Sequence, residues 1–493
     1  MKTFKNLKYI GLVALAISFT ACNDEEDFEE FLDQPPMEAV TLPALNAGSA
    51  DFSNYIAVGA SFTAGFTDGG LFIAGQEDSF PNTIAKQFEN AGGGTFTQPL
   101  TADNFGGLAV GGNRIQNPRL VFGGAGPVPL ESLIGPVTVG TDLLTPPTGP
   151  FNNFGVPGAK SFHLIAPGYG NLANLSAGLA NPYAVRLTGA TPNASMVELA
   201  VTQNPSFFTL SEIGGNDVLG YATTGGDGTN PITPTTTFDF ALNAMVTALT
   251  SNGAKGAIGN VPNITSLSHF TTIPYNPVPL DAATAAALNQ GYATYNGGLQ
   301  FAMTNGLLTQ EQVDKRTITF SESANNALVL IDENLTNLSG FGIPSFRQAT
   351  EADLFVLPLS SLIPQGYGTQ IQLEDKWVLT PEEQLEISTA TTAYNNSIAA
   401  IASANGLALV DLNTILNQAA STGVQFDDYN MNTSLVTGGL VSLDGIHLTA
   451  RGSAIMANSF LDAIDTTYGS NFRASGNVAK AEDFGVTYSP LLQ

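Results

Sequence analysis

Apolar runs of strand length alternate with helical patterns along most of this chain. The runs at 55–59, 207–213, 254–261 and 407–412 are short and apolar. Such runs are typical of strands that are buried on both faces of a parallel sheet. Ligands of these sheets bind beyond the carboxyl ends of the strands. We therefore expect chemically active residues directly after some of these runs.

Three helices are predicted from their start signals and their period. Ser79 precedes the first, Thr380 and Glu383 form a capping box at the start of the second, and Gly406 ends the second. The third is predicted over residues 449–468, where apolar positions recur at helical spacing. Strands that alternate with helices predict an α/β fold with a parallel sheet covered on both faces.

Several segments exceed what such a core needs. Residues 91–151 are rich in Gly and Pro, and residues 268–377 contain an Ala-rich helix from Asp281 and a short apolar run at 328–331. We interpret both as insertions that cap the site, within one domain that spans residues 51–472. Residues 473–493 are expected to form a C-terminal tail.

The N-terminus has the pattern of an export signal. Three lysines precede an apolar run at 9–19 that ends in Thr20-Ala21-Cys22. This run is too short to span a membrane, so residues 1–21 are predicted to be a lipoprotein signal peptide with Cys22 as the lipidated residue. The alternative is a plain secretory signal with an incidental cysteine. Residues 22–50 then form an acidic linker between the lipid anchor and the folded domain.

Charge and cysteine content narrow the function classes. The formal net charge is −26, with 42 acidic against 16 basic residues. Binding to nucleic acid needs Lys and Arg to neutralise phosphates, so a nucleic-acid partner is not expected. Cys22 is the only cysteine in the chain, which excludes an intramolecular disulfide and a site built on several cysteines.

Four short motifs together supply the parts of an acyl-transfer site. They are Gly59-Ala60-Ser61-Phe62-Thr63-Ala64-Gly65, Asn153-Phe154-Gly155-Val156-Pro157-Gly158, Gly214-Gly215-Asn216-Asp217 and Asp444-Gly445-Ile446-His447. Each motif is weak alone, and their combination is informative because acyl transfer needs a nucleophile, a base and donors for an oxyanion.

The roles follow from the chemistry of the side chains. Ser61 is the predicted nucleophile, and among the three histidines only His447 has a carboxylate, Asp444, three residues upstream to orient it. The oxyanion hole is predicted to consist of the Ser61 N–H, the Gly158 N–H and the Asn216 amide, with Gly155 as the alternative to Gly158.

These motifs resemble the Ser, Gly, Asn and His blocks of the SGNH (GDSL-type) hydrolase family. Ala60 and Phe62 stand where that family has Asp and Leu, while the third and fourth motifs match it closely. The resemblance implies a three-layer α/β/α flavodoxin-like sandwich. The α/β-hydrolase elbow Gly-x-Ser-x-Gly is excluded, because Thr63 occupies the position of its last glycine. The acidic stretch after Cys22 resembles the signal that sends lipoproteins of Bacteroidetes-type bacteria to the outer cell surface.

The predicted function is that of a serine esterase or lipase-type acylhydrolase, anchored to the outer membrane through Cys22. Its substrate is a lipid or an acylated glycan, and neither a cofactor nor a metal is expected. His163 and His269 are isolated and do not have the spacing of metal ligands. Apolar residues of the insertions, such as Phe122, Leu133 and Phe341, favour an acyl-chain substrate slightly, with the alternative that they bury the insertions' own small cores. The alternatives are a carbohydrate esterase of the deacetylase type and a non-catalytic surface lipoprotein that binds glycan or lipid.

Overall fold

The computed structural model describes residues 41–492. A compact unit begins at Leu45 and includes all the described residues that follow it. The predicted signal peptide, the lipidation site Cys22 and most of the acidic linker lie outside the described residues.

A five-stranded parallel sheet forms the centre of the compact unit. Its register places Ala57 of the first strand between Asn153 and Thr209 of its two neighbours. In chain order the strands are β1 (Tyr55–Gly59), β2 (Asn153–Gly155), β3 (Phe207–Ser211), β4 (Lys255–Gly259) and β5 (Ala408–Val410). Their spatial order is β5-β4-β3-β1-β2, so the chain reverses its direction across the sheet between β1 and β3. A crevice opens at the carboxyl ends of the strands at such a reversal.

Helices pack on both faces of the sheet, which confirms the predicted α/β class. Phe88 and Phe460 belong to the core on one face, and Ile398 belongs to the core on the other. The two faces alternate along β1, because Tyr55 and Ala57 contribute to one core while Ile56 and Val58 contribute to the other. The helices of eight or more residues, together with three shorter ones near the site, are α1 (Ser61–Ala64), α2 (Phe80–Asn90), α3 (Pro182–Thr188), α4 (Met196–Thr202), α5 (Gly215–Thr223), α6 (Thr235–Thr250), α7 (Ala282–Thr304), α8 (Pro381–Asn405), α9 (Leu412–Ser421) and α10 (Ala450–Tyr468). Further short helices span Ile73–Glu77, Glu131–Ile134, Ser268–Thr271 and Gln310–Arg316.

The predicted helix boundaries agree with the structure. Ser79 is the N-cap of α2, the Thr380–Glu383 capping box opens α8, and Gly406 ends α8 in the left-handed conformation. The four predicted strands all belong to the sheet, although three of them are shorter than predicted. The run at 328–331 also contains a strand, Val329–Ile331, but it pairs antiparallel with Phe346–Gln348 outside the sheet.

Both predicted insertions consist of short antiparallel pairs and helices. Residues 91–151 contain the pairs Leu108–Val110 with Asn113–Gln116 and Leu120–Phe122 with Pro127–Pro129. Residues 268–377 contain α7, the pair Val278–Leu280 with Ser323–Asn326, and a buried ion pair in which Arg347 binds Asp332 and Asp353. The strand Leu354–Phe355 pairs with Val378–Leu379 just before α8. This second insertion buries small apolar clusters of its own.

The segment expected to be a C-terminal tail packs onto the compact unit. Tyr488 donates a hydrogen bond of 2.9 Å to Asp78, and the Ser489 carbonyl accepts one of 2.7 Å from Arg119. Within residues 41–492, no helix combines the length and the apolar character that a bilayer crossing needs.

Candidate active site

Ser61 lies at the carboxyl end of β1, at the start of the short helix α1. Its side chain is 8% exposed and contributes to the wall of a cleft. The helix ends after a single turn at Gly65, which adopts a left-handed conformation. Gly155, at the end of β2, is packed so tightly against α1 that a Cβ there would lie 2.6 Å from the Thr63 carbonyl carbon. The strand, the turn and this close approach together fix the position of the Ser61 hydroxyl.

Glu212, which the sequence reasoning missed, holds the turn after Ser61 in place. Its carboxylate accepts hydrogen bonds from the Phe62 N–H at 2.7 Å, the Thr63 N–H at 2.9 Å and the Thr63 hydroxyl at 2.9 Å. The backbone of Glu212 has a φ of +61°, which is uncommon for a residue with a side chain. Strain of this kind costs on the order of 1–3 kcal/mol and persists where neighbouring contacts stabilise it. Glu212 therefore places a carboxylate beside Ser61. The motif around Ser61 contains none itself, because residue 60 is an alanine and not an aspartate.

His447 and Asp444 form a hydrogen-bonded pair. The His447 Nδ1 lies 2.8 Å from Asp444 Oδ2, so the carboxylate selects the tautomer that carries its proton on Nδ1. Asp444 Oδ1 accepts further bonds of 2.9 Å from the Ile446 and His447 backbone N–H groups. Burial alone would raise the pKa of Asp444, but the charge of His447 and these hydrogen bonds lower it far below its ordinary value. The carboxylate therefore stays ionised and can stabilise an imidazolium.

The segment after Ser61 binds directly to the loop that carries this pair. Gly69 donates a hydrogen bond of 2.8 Å to Asp444 Oδ2, and the Thr67 hydroxyl donates one of 2.9 Å to the Leu448 carbonyl. The ring centroid of Phe62 lies 5.8 Å from that of His447, and the Phe66 centroid lies 4.7 Å from it. Among the hydrogen bonds of the described residues, none joins the Ser61 hydroxyl to His447. Catalytic contacts of this kind are often long in free enzymes and shorten when substrate binds.

Asn216 and Asp217, at the start of α5, bind the loop that contains Gly158. The Asn216 amide donates a hydrogen bond of 2.9 Å to the Ala159 carbonyl and keeps a second N–H for another acceptor. The Asp217 carboxylate accepts bonds of 2.8 and 2.7 Å from the Ser161 N–H and hydroxyl. These bonds bring the third sequence motif against the second, as an oxyanion hole built from both would require.

The two glycines proposed for the oxyanion hole differ in their hydrogen bonding. The Gly155 N–H donates a bond of 2.9 Å to the Asn153 side chain and is therefore occupied. Gly158 is exposed, and no described residue accepts a hydrogen bond from its N–H. It lies next to Ala159, which holds Asn216. Of the two, Gly158 is the one whose N–H is available as an oxyanion donor.

A cleft of about 820 Å³, including its space open to solvent, begins at Ser61. Ser61, Glu212 and Asn216 line it at the end formed by β1 and β3, and Glu212 is the one ionisable side chain among its lining residues. Ile446 and Leu448, on either side of His447, also line it. The remaining wall is almost entirely apolar and comes from the segments after β4 and β5 and from α10, with Ile264, Leu267, Leu412, Leu416, Ile455 and Met456 among its members. Such a surface favours an aliphatic group over a sugar, which needs hydrogen-bond partners.

The apolar residues of the insertions do not line this cleft. Phe122, Leu133 and Phe341 are 39%, 49% and 61% exposed and lie elsewhere on the surface, whereas Leu130 and Leu359 are fully buried. These residues therefore give no support to an acyl-chain substrate, and the burial of Leu359 in a cluster of the second insertion fits the alternative that they pack within the insertions. The core elements form the cleft instead, and their apolar positions could not be told apart from ordinary core positions in the sequence.

The other two histidines have structural environments. His163 Nδ1 accepts a hydrogen bond of 3.1 Å from the Lys160 N–H, and its ring stacks on Tyr169 at 4.5 Å. Burial lowers the pKa of His163 to about 4. Burial also lowers the pKa of His269, whose backbone N–H donates a bond of 2.9 Å to the Gly445 carbonyl. Neither side chain lines the cleft. Among the hydrogen bonds of the described residues, only those of His447 pair a histidine ring nitrogen with a carboxylate, which makes His447 the candidate base.

Burial of the Glu212 carboxyl group disfavours its charged form. Burial raises its pKa from 4.5 to about 7, although the hydrogen bonds from Phe62 and Thr63 oppose the shift. Between pH 4.5 and about 7, the Glu212 carboxyl is ionised in the unfolded chain but still largely protonated in the folded one. The free energy of unfolding therefore falls progressively as pH rises through this range. A buried carboxylate is thus retained beside Ser61 despite its effect on stability, which points to a positioning role.

Glu212→Gln is expected to lower kcat/KM roughly 10- to 100-fold, because a hydrogen bond to a charged group contributes about 1.5–3 kcal/mol. Glutamine has only one oxygen, so its NH₂ group would face one of the two backbone N–H donors. The variant should also lose the decline in stability between pH 4.5 and about 7. The measurements are kcat/KM and thermal unfolding from pH 4 to 9. Glu198→Gln, which alters a capping carboxylate outside the cleft, is the control. Unchanged kcat/KM in Glu212→Gln at every pH would contradict the positioning role.

Comparisons with known proteins add no further identification. No protein-family model matches the chain, and no curated protein matches it. Its function therefore has to be argued from the residues and the geometry of the site.

Proposed function

We propose that this protein is a serine hydrolase that cleaves carboxylic esters carrying an aliphatic acyl chain. The observation that carries the proposal is that Ser61 and Asn216 line one cleft, while the His447–Asp444 pair contacts the segment that follows Ser61. The strand order matches the flavodoxin-like order 2-1-3-4-5, in which ligands bind at the reversal between the first and third strands. This order supports the three-layer sandwich that the resemblance to SGNH hydrolases implies.

In the proposed reaction, His447 Nε2 takes the proton of the Ser61 hydroxyl as its oxygen attacks the ester carbonyl. The oxyanion that forms accepts hydrogen bonds from the Ser61 N–H, the Gly158 N–H and the free N–H of Asn216. The alcohol leaves with the proton from His447, and a water molecule then releases the acid from Ser61 by the same route. Asp444 remains ionised throughout and stabilises the imidazolium of each step.

The cleft supports an acyl chain as the group that is recognised. It extends from Ser61 at β1 to Leu412 and Leu416 after β5. Three strand spacings separate β1 from β5, a distance of about 14 Å. Each buried CH₂ contributes about 0.8 kcal/mol to binding, so kcat/KM should rise with the length of the acyl chain. The wall offers few polar atoms to a sugar, which disfavours the carbohydrate esterase alternative.

The purified protein is expected to hydrolyse p-nitrophenyl octanoate at least about 100-fold faster, in kcat/KM, than p-nitrophenyl acetate. Leu416→Phe, which narrows the far end of the cleft, should reduce kcat/KM for the palmitate ester about 10-fold and leave butyrate unchanged. Leu385→Phe, at a position of α8 that is 65% exposed, is the matched control. A preference for acetate would favour a deacetylase. A folded protein without turnover of any ester, and without covalent labelling by a fluorophosphonate, would favour the non-catalytic binding protein.

We also propose that the protein is exported and held at the outer membrane through lipidated Cys22. Support for this comes from the basic and apolar N-terminal pattern and the acidic stretch that follows Cys22. An aliphatic ester would then be met at or near a lipid surface.

A further inference from the structure

Three carboxylates meet on the side of the molecule where the second insertion joins α8. Glu333 follows the strand Val329–Ile331, Asp375 begins the turn Asp375–Trp377, and Glu383 lies in the first turn of α8. One carboxylate oxygen from each lies within 4.8 Å of the other two. Glu333 is exposed, Asp375 is half-buried, and Glu383 is only 4% exposed. The cluster is therefore open to solvent on the side of Glu333 and closed on the side of Glu383.

Two of the oxygens in this cluster are buried and without a hydrogen-bond partner among the described residues. Glu383 Oε2 accepts bonds of 2.6 and 2.8 Å from the N–H and hydroxyl of Thr380, but Glu383 Oε1 has no partner. Asp375 Oδ1 is buried and unpartnered as well. The two carboxyl groups face each other closely enough for a hydrogen bond between them. Buried carboxylate oxygens without donors require another source of positive charge.

Two other buried acids of the same insertion are paired with an arginine. Asp332 and Asp353 are fully buried, and Arg347 binds both with charged hydrogen bonds of 2.5 to 2.7 Å. Among residues 41–492, no arginine forms an ion pair with the cluster. The amide of Asn334 donates a weak bond of 3.4 Å to Glu333, while the nearby Lys376 pairs with Glu374. The acidic cluster therefore lacks the cation that its neighbours have.

On the closed side, the backbone of the loop after α5 packs directly against the cluster. Gly226, in the loop after α5, has a φ of +77°, and a Cβ there would collide with Glu383 Oε1. Asp227 follows it and adds a further negative charge near Asp375. Burial raises the pKa of Glu383 and of Asp375, and repulsion among the carboxylates adds to both shifts. The cluster thus needs either protons or a bound cation to be stable at neutral pH.

We propose that Glu333, Asp375 and Glu383 bind a calcium ion. Carboxylate oxygens are the ligands that Ca²⁺ prefers, at about 2.3–2.6 Å, so two ligands on opposite sides of the ion lie about 5 Å apart. The three donor oxygens all lie within 4.8 Å of one another, so they are close enough together to contact one such ion. Zinc is disfavoured because the cluster contains neither His nor Cys. Water would complete the coordination on the exposed side of Glu333.

A bound ion would join three parts of the molecule. Glu333 and Asp375 belong to the second insertion, Glu383 belongs to α8, and the Gly226 loop continues from α5, whose first turn carries Asn216. The ion would stabilise the folded state in proportion to its occupancy, since the unfolded chain does not hold these residues together. The sequence predicts no metal site because its histidines are isolated, and these carboxylates are too far apart along the chain to form a motif.

The only tryptophan of the chain, Trp377, lies two residues from Asp375 and can report on the site. Tb³⁺, added to EDTA-treated and dialysed protein, is expected to show luminescence on excitation at the tryptophan band, and Ca²⁺ should displace it. Calorimetry with Ca²⁺ should give one site with a Kd of about 10⁻⁷–10⁻⁴ M. Millimolar Ca²⁺ should raise the Tm by at least about 2 °C.

Glu333→Gln, at an exposed position that folding should tolerate, is expected to weaken Ca²⁺ binding at least 10-fold. Glu322→Gln, an exposed acid of the same insertion, should leave it unchanged. Absence of both calorimetric heat and a Tm shift in the wild-type protein would mean that the cluster is neutralised by protons, and would overturn the proposal. Equal binding by Glu333→Gln and wild type would place the ion elsewhere. Binding of Mg²⁺ as tight as that of Ca²⁺ would contradict the assignment to calcium.

Discussion

Ser61→Ala is expected to lower kcat/KM for p-nitrophenyl octanoate roughly 10⁴- to 10⁶-fold, the range typical of a lost nucleophile in a Ser-His-Asp site. The effect is large because His447 and Asp444 act only through the Ser61 oxygen, so that the oxyanion donors and substrate binding alone remain. The hydroxyl makes no hydrogen bond with a described residue, and its side chain is 8% exposed at the cleft wall, so folding should tolerate its loss. The measurements are steady-state kinetics and labelling by a fluorophosphonate, which reacts only with an activated serine.

Ser459→Ala provides the matched control. Ser459 lines the same cleft, but it lies within α10 and its hydroxyl donates a bond of 2.9 Å to the Ile455 carbonyl. This variant should keep its kcat/KM within a factor of about three, because a helix serine bonded to the preceding turn is not activated. Labelling that persists in Ser61→Ala and disappears in Ser459→Ala would identify a different nucleophile and contradict the proposed site.

Much of the sheet could be predicted because its strands are buried on both faces. The runs at 55–59, 207–213, 254–261 and 407–412 are predominantly apolar, and each of them contains a strand of the sheet. The strand Asn153–Gly155 was not predicted, because its three residues are too short and too polar to give a strand pattern. Its Asn153 side chain is buried and bonded to the Thr63 carbonyl and the Gly155 N–H, so tertiary contacts compensate for its polarity.

The candidate site was predictable where its parts lie close together in the sequence. Asp444 and His447 are three residues apart, and the pair forms the hydrogen bond that this spacing suggests. Glu212 was missed because its role depends on a contact with residues that precede it by about 150 positions. A glutamate next to two glycines carries no local signal of such a contact. The same limit applies to Glu333, Asp375 and Glu383, which only the fold brings together.

Asp444→Asn is expected to reduce kcat about 10⁴-fold while leaving the fold intact, because an amide can hold the wrong tautomer of His447 and cannot stabilise an imidazolium. The pKa of Asp444 is lowered in the folded state, so the stability it contributes is fully present above its ordinary pKa of 3.8 and is lost as pH falls further. Its ionisation therefore cannot cause a change in activity between pH 5 and 9. Any acid limb of the wild-type profile in that range has to come from another group.

Asp465→Asn separates this catalytic effect from a loss of loop order. Asp465, in α10, accepts hydrogen bonds from the Ser470 hydroxyl and the Phe472 and Arg473 N–H groups, so it organises a loop as Asp444 does, but its bonds do not include His447. Both variants should lower the Tm by a few degrees, and only Asp444→Asn should lower kcat by orders of magnitude. If kcat falls in both variants only in proportion to the fraction unfolded, Asp444 is a structural residue. His447 would then need another orienting group, or another base would have to serve Ser61.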